Sequence, residues 1–327
     1  MKFSNVLRWV AATLIPTFGA MVAAQPAAYP NKPVKLIVAF APGGSTDGLA
    51  RIVAQKLSES MGQPVVVENK PGGNTIIGSE ALTRAPRDGY TLLLATVDHS
   101  VVPQLQATPY DPVKDFAAIG GISYTQLLLV ANPAFPANNV QELVALAKSK
   151  PGQLNVATAG SGGVQHLTGE MLATLTGTKL EHIPYRGGGP ALADVMGGQV
   201  QLYFAIPISS IAHINGGKLK ALAITGTARN DALPNVPTFA EAGVPGLDVK
   251  TWYGLFAPAG TPRPVLDKLA DELAKVLATP DMKDRLRTLG MDAMPMGPDD
   301  FGGFVKSEVA KWGQVIKAAN VKVETKP

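Results

Sequence analysis

The sequence of 327 residues contains no cysteine. This absence excludes disulfide frameworks, iron–sulfur clusters, cysteine-ligated zinc sites and thiol nucleophiles. Histidine is also scarce: there are only four, and no two fall within one helical turn, namely His99, His166, His182 and His213. So few dispersed imidazoles supply little material for a metal site, and we expect neither a metal nor a cofactor.

Charged residues are also few. They make up 17% of the chain, against 46% hydrophobic residues, so the chain can bury a large core and is not disordered. Its length allows one large domain or two of ordinary size. The net charge is +4. A charge this small, without any basic run, argues against a nucleic-acid partner.

The N-terminal segment has the pattern of an export signal. Lys2 and Arg8 precede an uncharged stretch, Trp9–Ala24, that ends in small residues. This pattern predicts a cleaved signal peptide over residues 1–24 and a periplasmic protein. Cleavage lowers the net charge to +2, because both charged residues of the segment are basic. The alternative is a membrane anchor, which requires roughly 20 apolar residues; Pro16 interrupts the stretch.

Short apolar runs alternate with amphipathic helical segments along the rest of the chain. Near-continuous runs such as LIVAF indicate strands buried on both faces, as in parallel sheets. The repeated order of strand, turn and helix predicts an α/β fold with mainly parallel sheets flanked by helices. Nine strands are predicted: 34–40, 65–68, 91–97, 127–130, 154–158, 180–184, 200–206, 219–225 and 252–257.

The last 65 residues read as helices only. Thr261 is placed as the cap of the first, with Pro262 at its first position. A shorter helix ends at Gly290, and a third begins at about Pro298. Near the other end of the chain, a helix follows Thr46.

Four glycine-rich turns each follow a strand and precede a helix. Glycine lets the backbone approach a ligand closely, and a helix N-terminus presents free N–H groups and partial positive charge. Together they can bind an anion without lysine or arginine. The alternative is that glycine merely allows tight connections. Two turns lie in the first third and two in the middle third of the chain, which favours a cleft between two lobes: 42–47, 71–75, 160–163 and 186–190.

Most enzyme motifs are missing. The sequence has no P-loop, no dinucleotide fingerprint and no H-E-x-x-H pair. The segment Ala159–Gly163 matches the nucleophile-elbow pattern G-x-S-x-G around Ser161, except that its first residue is alanine. A hydrolase would also need a histidine such as His213, which lies in an apparent helix end. His166, in the first turn of a helix, has two interpretations: it faces a ligand or it caps locally.

Six segments together resemble the tripartite tricarboxylate transporter receptors, the Bug-type solute-binding proteins. The similarity runs from about residue 29 to the C-terminus. The segment at 69–78 departs slightly, with Lys70–Gly73 where the family often has Gly-Ala-Gly-Gly. The matching segments are 29–47, 69–78, 88–92, 160–167, 184–191 and 234–238.

The resemblance implies a two-lobed, type II periplasmic-binding-protein fold with a hinge crossed twice. Lobe one would comprise 25–128 and 253–327, and lobe two 129–252. It also implies a monomeric receptor without enzymatic activity. The receptor would bind a small aliphatic or aromatic carboxylate or dicarboxylate and deliver it to a membrane permease by opening and closing. Two alternatives stay open, an exported serine hydrolase using Ser161 and a ligand sensor for a membrane kinase.

The resemblance further implies which residues bind. One carboxylate would lie against backbone amides and hydroxyls of the two lobe-one loops, and lobe two would close over the other end. Asp47 either orders the first helix or contacts the ligand through water; Arg186 either pairs with a distal carboxylate or lies on the surface. The candidate residues are Phe40, Pro42, Gly43, Gly44, Ser45, Thr46, Asp47, Gly72, Gly73, Asn74, Thr75, Thr96, Ser161, Gly162, Gly163, His166, Tyr185, Arg186 and Gly187.

Overall fold

A computed structural model describes residues 29–319. The predicted signal peptide, residues 1–24, lies outside the described residues. Within them, no helix combines the length and the apolar character needed to cross a membrane.

The described chain contains eleven strands. All nine predicted strands are present, with ends displaced by no more than two residues. The strands are β1 (Val34–Val38), β2 (Val65–Asn69), β3 (Thr91–Thr96), β4 (Phe116–Gln126), β5 (Leu128–Ala131), β6 (Asn155–Thr158), β7 (Glu181–Pro184), β8 (Leu202–Ala205), β9 (Lys220–Ile224), β10 (Lys250–Pro258) and β11 (Asp292–Ala293).

Ten helices accompany these strands in the described residues. They are α1 (Ser45–Met61), α2 (Ile76–Thr83), α3 (Asp98–Leu105), α4 (Val140–Ser149), α5 (Val164–Thr176), α6 (Gly188–Met196), α7 (Pro207–Asn215), α8 (Arg263–Ala278), α9 (Pro280–Thr288) and α10 (Pro298–Ala319).

The strands form two sheets. The first has the order β11-β4-β10-β3-β1-β2 and the second β7-β6-β8-β5-β9. The α/β class and the two flanked sheets are confirmed, but the expectation of mainly parallel sheets is corrected. β1 pairs in parallel with β2 and β3, as β6 does with β7 and β8, whereas β10 and β5 are antiparallel to both of their neighbours. The chain passes from the first sheet into the second through β5 and returns to the first through β10. These two strands run opposite to the strands of the βαβ units.

The two passages between the sheets lie side by side. Leu127 alone separates β4 from β5, and Gln126 at the end of β4 pairs with Lys250 at the start of β10. Thr225 joins both passages: its Oγ1 accepts from the Leu127 N–H at 2.9 Å and donates to the Val249 carbonyl at 2.5 Å. This arrangement agrees with a hinge that the chain crosses twice.

Alternate strand residues of the first sheet face two separate helix layers. Leu92 packs toward the layer of α1 and α8, in which Leu49 and Leu269 are buried. Leu93 faces the opposite layer, which contains Trp312 of α10. Both faces of the central strands are therefore buried, which explains their near-continuous apolar sequence.

Three local predictions were wrong. The last 65 residues were expected to be helical only, but they include β11. The sequence pattern did not predict β4, whose centre is Gly120–Gly121. A Cβ at Gly121 would lie 2.6 Å from the Met294 carbonyl, so glycine is needed where the C-terminal segment with β11 crosses. Thr261 does not cap α8: its Oγ1 donates to the Pro258 carbonyl, and Pro262 holds the cap position without a side-chain bond.

Candidate functional site

The loop after β1 presents the N-terminus of α1. Gly43 has a φ of 83°, and Gly44 caps the helix without a side-chain hydrogen bond. Asp47 Oδ2 accepts from Gly43 N and from Arg51 Nε, both at 3.0 Å, and Oδ1 accepts from Asn69 Nδ2 at 3.0 Å. Burial acts to raise the pKa of Asp47, but these hydrogen bonds outweigh it and lower the pKa. This geometry supports the ordering role for Asp47.

The loop after β6 presents the N-terminus of α5 in the same way. Gly162 has a φ of 75°, and Gly163 caps the helix without a side-chain bond. His166 Nδ1 accepts from Gly162 N at 3.1 Å, and its Nε2 lies 3.6 Å from Glu170 Oε1. Its ring stacks on His182 with centroids 3.7 Å apart. Burial, followed by the nearby His166, lowers the pKa of His182 to about 4.

A third loop, after β7, presents the N-terminus of α6. Gly187 caps this helix with a φ of 133°, again without a side-chain bond. A Cβ at Gly187 would lie 2.9 Å from Ala41 N, and one at Gly189 would lie 2.8 Å from the Pro42 carbonyl. Glycine is therefore required because the loops after β1 and β7 touch through their backbones.

Direct hydrogen bonds join the loops of the two sheets. Ala41 N–H donates to the Arg186 carbonyl at 3.1 Å. Asn74 Nδ2 donates to the Ser161 carbonyl at 2.6 Å, and Val164 N–H donates to Asp98 Oδ1 at 2.7 Å. With these contacts made, the cleft between the sheets is closed.

A small inner cavity of about 30 Å³ lies between the two sets of loops. A water molecule needs roughly 10–15 Å³ on this scale, so the cavity holds about two atoms of that size. The helices α1, α5 and α6 all begin at its wall. Among the described residues, no lysine, arginine or histidine lines it. The lining residues are Phe40, Gly44, Ser45, Thr46, Thr96, Asp98, Ala159, Val164, Gln165, Gly188, Tyr203, Ile206, Thr251 and Tyr253.

A larger outer cleft of about 1020 Å³ adjoins the inner cavity, because Phe40 and Ala159 line both. Asn74 and Thr75 in its wall have φ values of 49° and 76°. Left-handed backbone is costly for a β-branched residue and clusters at ligand sites. Nine candidate residues line this cleft: Phe40, Gly72, Gly73, Asn74, Thr75, Ser161, His166, Tyr185 and Arg186.

The structure gathers the nineteen candidate residues around these two spaces. Phe40, Gly44, Ser45, Thr46 and Thr96 line the inner cavity. The remainder line neither space and form the loop backbone or its supports: Pro42, Gly43, Asp47, Gly162, Gly163 and Gly187. The side chain of Arg186 is exposed at the outer cleft and makes no ion pair with the described residues.

Sequence reasoning missed four polar side chains of the inner cavity: Asp98, Gln165, Thr251 and Tyr253. Asp98 lies two residues after the end of β3 and begins α3, so it occupies the same kind of strand–helix connection as the glycine turns. Thr251 and Tyr253 lie within β10, which reaches the cavity only through pairing with distant strands. Burial raises the pKa of Tyr253. Tyr203, which also lines the inner cavity, receives a hydrogen bond from Gln165 Nε2 at 3.0 Å.

Asp98 carries a buried carboxyl group. Its exposed fraction is 7%, and burial raises its pKa to about 6, against the lowering effect of the Val164 hydrogen bond. It is the one acidic residue that lines the inner cavity among the residues described.

The geometry does not assemble a serine hydrolase around Ser161. Within residues 29–319, no histidine forms a hydrogen bond with its hydroxyl; His166 Nδ1 instead accepts from the backbone of Gly162. His213 lies at the end of α7 and lines neither space. A nucleophile of this kind needs a base within hydrogen-bond reach.

Comparison with known proteins agrees with this picture. Residues 49–321 match the family described as tripartite tricarboxylate transporter family receptor. The protein BugT of Bordetella pertussis is 33% identical over 316 residues, covering 95% of this chain and 96% of its own. A UPF0065 protein from the tcbD-tcbE intergenic region of Pseudomonas sp. strain P51 is 37% identical, covering 88% and 87%.

Solved structures show the same fold. The periplasmic binding protein BugD is 38% identical with a TM-score of 0.87, covering 90% of this chain and 99% of its own. The R. palustris protein Rpa4515, solved with adipate, is 33% identical with the same TM-score and coverage. MatC of Rhodopseudomonas palustris, solved with malate, is 32% identical with a TM-score of 0.84, covering 88% and 100%. The chain therefore belongs to the tripartite tricarboxylate transporter receptors, a family of solute-binding receptors rather than enzymes.

Proposed function

We propose that this protein is a periplasmic receptor that binds a small carboxylate or dicarboxylate in the inter-lobe cleft and delivers it to a membrane permease. One observation carries the proposal: α1, α5 and α6 all begin at one small cavity with a glycine at the N-cap, although Asp98 already accepts from Val164 N–H at α5. Free N–H groups at helix N-termini bind anions without a cationic side chain.

The similar proteins support the carboxylate class. Rpa4515 was solved with adipate and MatC with malate. Both ligands are dicarboxylates, one longer than the other. An inner cavity that opens into an outer cleft suits dicarboxylates of different length. The cavity takes one carboxylate, and the cleft takes the rest of the ligand.

The binding site of this proposal consists of the nineteen candidate residues together with Gly188 and Gly189. Backbone N–H groups at Ser45, Thr46 and Gly187–Gly189 hold the inner carboxylate, with hydroxyls of Ser45 and Thr96. Gly72–Thr75, Ser161 and Tyr185 surround the outer part. Arg186 is exposed at the outer cleft and meets a distal carboxylate.

Delivery depends on opening and closing of the two lobes, 25–128 with 253–327 and 129–252. The inner cavity has a volume of only about 30 Å³ and lies between loops of the two sheets, so the ligand enters it when these loops separate. A ligand that contacts both lobes favours the closed state by its differential affinity for that state. The passages at Leu127 and Val249, joined by Thr225, provide the hinge.

A thermal-shift screen tests the function. The mature protein is heated with mono-, di- and tricarboxylates, aliphatic and aromatic, beside the corresponding amides and simple sugars. A carboxylate at about 100 times its Kd adds about 2.7 kcal/mol to the free energy of unfolding, so its melting temperature rises while the amide has no effect. If only the amides or the neutral sugars raise the melting temperature, the proposal is wrong.

A further inference from the structure

Two histidines beside the outer cleft lie face to face. The rings of His166 on α5 and His182 on β7 are stacked, with centroids 3.7 Å apart and 10° between their planes. Two positive charges at this separation repel each other, so protonation of one ring disfavours protonation of the other. The stacked rings therefore take up a proton as a coupled pair.

The surrounding hydrogen bonds fix which nitrogens carry the protons of the neutral rings. Thr158 Oγ1 donates its one hydrogen to the Gly160 carbonyl at 3.0 Å, so it accepts from His182 Nε2 at 2.6 Å. His166 Nδ1 accepts from the Gly162 N–H at 3.1 Å, so its own proton is on Nε2. Both rings are thus neutral with the hydrogen on Nε2.

His166 is the ring placed to take up a further proton. Burial, followed by the nearby His166, lowers the pKa of His182 to about 4, so His182 stays neutral in milder acid. Glu170 Oε1 lies 3.6 Å from His166 Nε2, and its hydrogen bond to His166 lowers the pKa of Glu170 against the effect of burial. The other charged groups around this turn and the pair are Lys179, Glu181, Arg186 and, against Gly163, Asp98 of α3.

Protonation of His166 is incompatible with the hydrogen bond that holds the turn before α5. The added proton lies on Nδ1, which then presents a donor to the Gly162 N–H instead of an acceptor. The same turn carries the Ser161 carbonyl, which accepts from Asn74 Nδ2 of the other sheet at 2.6 Å. Release of the turn therefore loosens a direct hydrogen bond between the loops of the two sheets.

We propose that His166 is a pH-sensitive latch: its neutral ring holds the loop after β6 in the closed cleft, and its protonation releases this loop and weakens ligand binding. The effect on binding rests on the proposed function, whereas the change in the turn does not depend on a ligand. Imidazole is the side chain whose charge ordinarily changes between about pH 5 and 8. Glu170 holds the protonated ring as an ion pair, so the latch has two stable arrangements.

Nuclear magnetic resonance of the ligand-free mature protein tests the latch itself. The Gly162 amide proton and the His166 ring are followed from pH of about 8 to about 5. We expect the Gly162 resonance to leave its hydrogen-bonded position with the midpoint of His166 protonation. Glu170→Gln should move that midpoint down by roughly half a pH unit, because it removes the charge that favours the imidazolium. His166→Asn offers an amide oxygen in place of Nδ1 and takes up no proton, so its Gly162 resonance should not follow this titration.

Calorimetric titration tests the effect on binding, with the carboxylate that raises the melting temperature most as the probe. Acid also changes the charge of this probe and of Asp98, but it does so in every variant. Relative to His166→Asn, the wild type should lose about a further tenfold in affinity between pH of about 7.5 and 5.5, because one hydrogen bond is replaced by two opposed donors. His213→Asn, the same change at the end of α7 away from both spaces, should behave as the wild type.

Each contrary result has its own meaning. If the Gly162 resonance does not follow protonation of the His166 ring, the latch is wrong. If it does, but the wild type and His166→Asn lose affinity equally in acid, the turn is not coupled to binding and the inference fails. If no carboxylate binds at any pH, the proposed function and the effect on binding fall, whereas the ligand-free titration still decides whether His166 controls the turn. The wild-type resonances decide that question even if His166→Asn does not fold.

Discussion

The loops after β1 and β6 have nearly the same backbone but different groups at their helix N-termini. Gly44 has φ and ψ of −84° and 175°, and Gly163 has −84° and 174°. The next residue differs in its partner: Val164 N–H donates to Asp98, whereas Ser45 N–H has no hydrogen bond to the described residues. One helix N-terminus is therefore occupied by a carboxylate of the protein, and the other is where we propose that the ligand carboxylate binds.

The supports of the two loops differ in the same way. In each loop the glycine before the N-cap, Gly43 or Gly162, donates its N–H to a side chain four residues further on, Asp47 or His166. A carboxylate and an imidazole thus stabilise the same turn. The two helix N-termini share the backbone conformation rather than the identity of the supporting side chain.

The largest expected effect is that of Gly44→Val on ligand binding. A Cβ at Gly44 would lie 3.3 Å from Gly189 N, and the valine methyl groups would occupy the space between the two loops. The affinity for the carboxylate found in the screen should fall more than about a hundredfold, because two or more backbone hydrogen bonds are lost.

The matched control is Gly303→Val, on an exposed face of α10 where an added Cβ meets nothing within 4 Å. Calorimetric titration should give this variant the wild-type affinity. If Gly44→Val binds the carboxylate with wild-type affinity, the loop after β1 does not contact the ligand, and the contrast drawn between the two loops is wrong.

A smaller effect is expected from Asp47→Asn, measured as the free energy of urea unfolding. The variant should lose about 1.5–3 kcal/mol at neutral pH, because hydrogen bonds to an ionised group are weakened. The folded pKa of Asp47 is lowered, so its contribution is complete above its unfolded pKa of about 4 and is lost as the pH falls through the folded value. Urea curves of variant and wild type that stay equally far apart in acid would contradict this role.

Asp98→Asn should raise the free energy of unfolding, whereas Asp47→Asn lowers it. Because burial raises the folded pKa of Asp98 to about 6, the native state binds the proton more tightly, and stability falls as the pH rises from about 4 through 6. The unliganded variant should therefore be about 1–2 kcal/mol more stable than the wild type at neutral pH. The gain should disappear below pH of about 4, where both forms are neutral. A variant less stable at neutral pH would show that the Asp98 charge is well compensated.

His166→Gln should have the smallest effect. It removes one neutral hydrogen bond to Gly162 N and the stacking on His182, so the free energy of unfolding should fall by about 0.5–1 kcal/mol. The loss should be smaller than for Asp47→Asn in the same urea experiment. A larger loss would mean that the second loop depends on its side-chain support more than the first.

The sequence predicted most of what is local in this fold. Apolar runs located nine strands, and glycine-rich sequence between a strand and a helix located the four turns, because both signals depend on neighbouring residues. β4 escaped because its centre, Gly120–Gly121, has no strand propensity and is required by the crossing of Met294. The antiparallel direction of β10 also escaped, since direction is set by where the chain returns to the first sheet.

For the candidate site, too, the sequence predicted the parts that depend on local sequence and missed those that depend on strand pairing. The loops that follow strands were found, whereas Thr251 and Tyr253 reach the inner cavity only because β10 pairs with β3 and β4. Asp98 was missed although it follows β3, because its neighbours lack the glycine that marked the other turns. The contact between the loops after β1 and β7 joins residues about 145 positions apart, a separation at which local patterns carry no information.

The central claim is that backbone N–H groups at α1 and α6 bind the ligand carboxylate. The most direct test follows the amide resonances of Ser45, Thr46, Gly188 and Gly189 during titration with the carboxylate that raises the melting temperature most. The account predicts downfield shifts of these amide protons that saturate with the calorimetric Kd, and a much smaller shift at Val164, whose N–H already bonds Asp98. Saturable binding that leaves all four amides unshifted would contradict it.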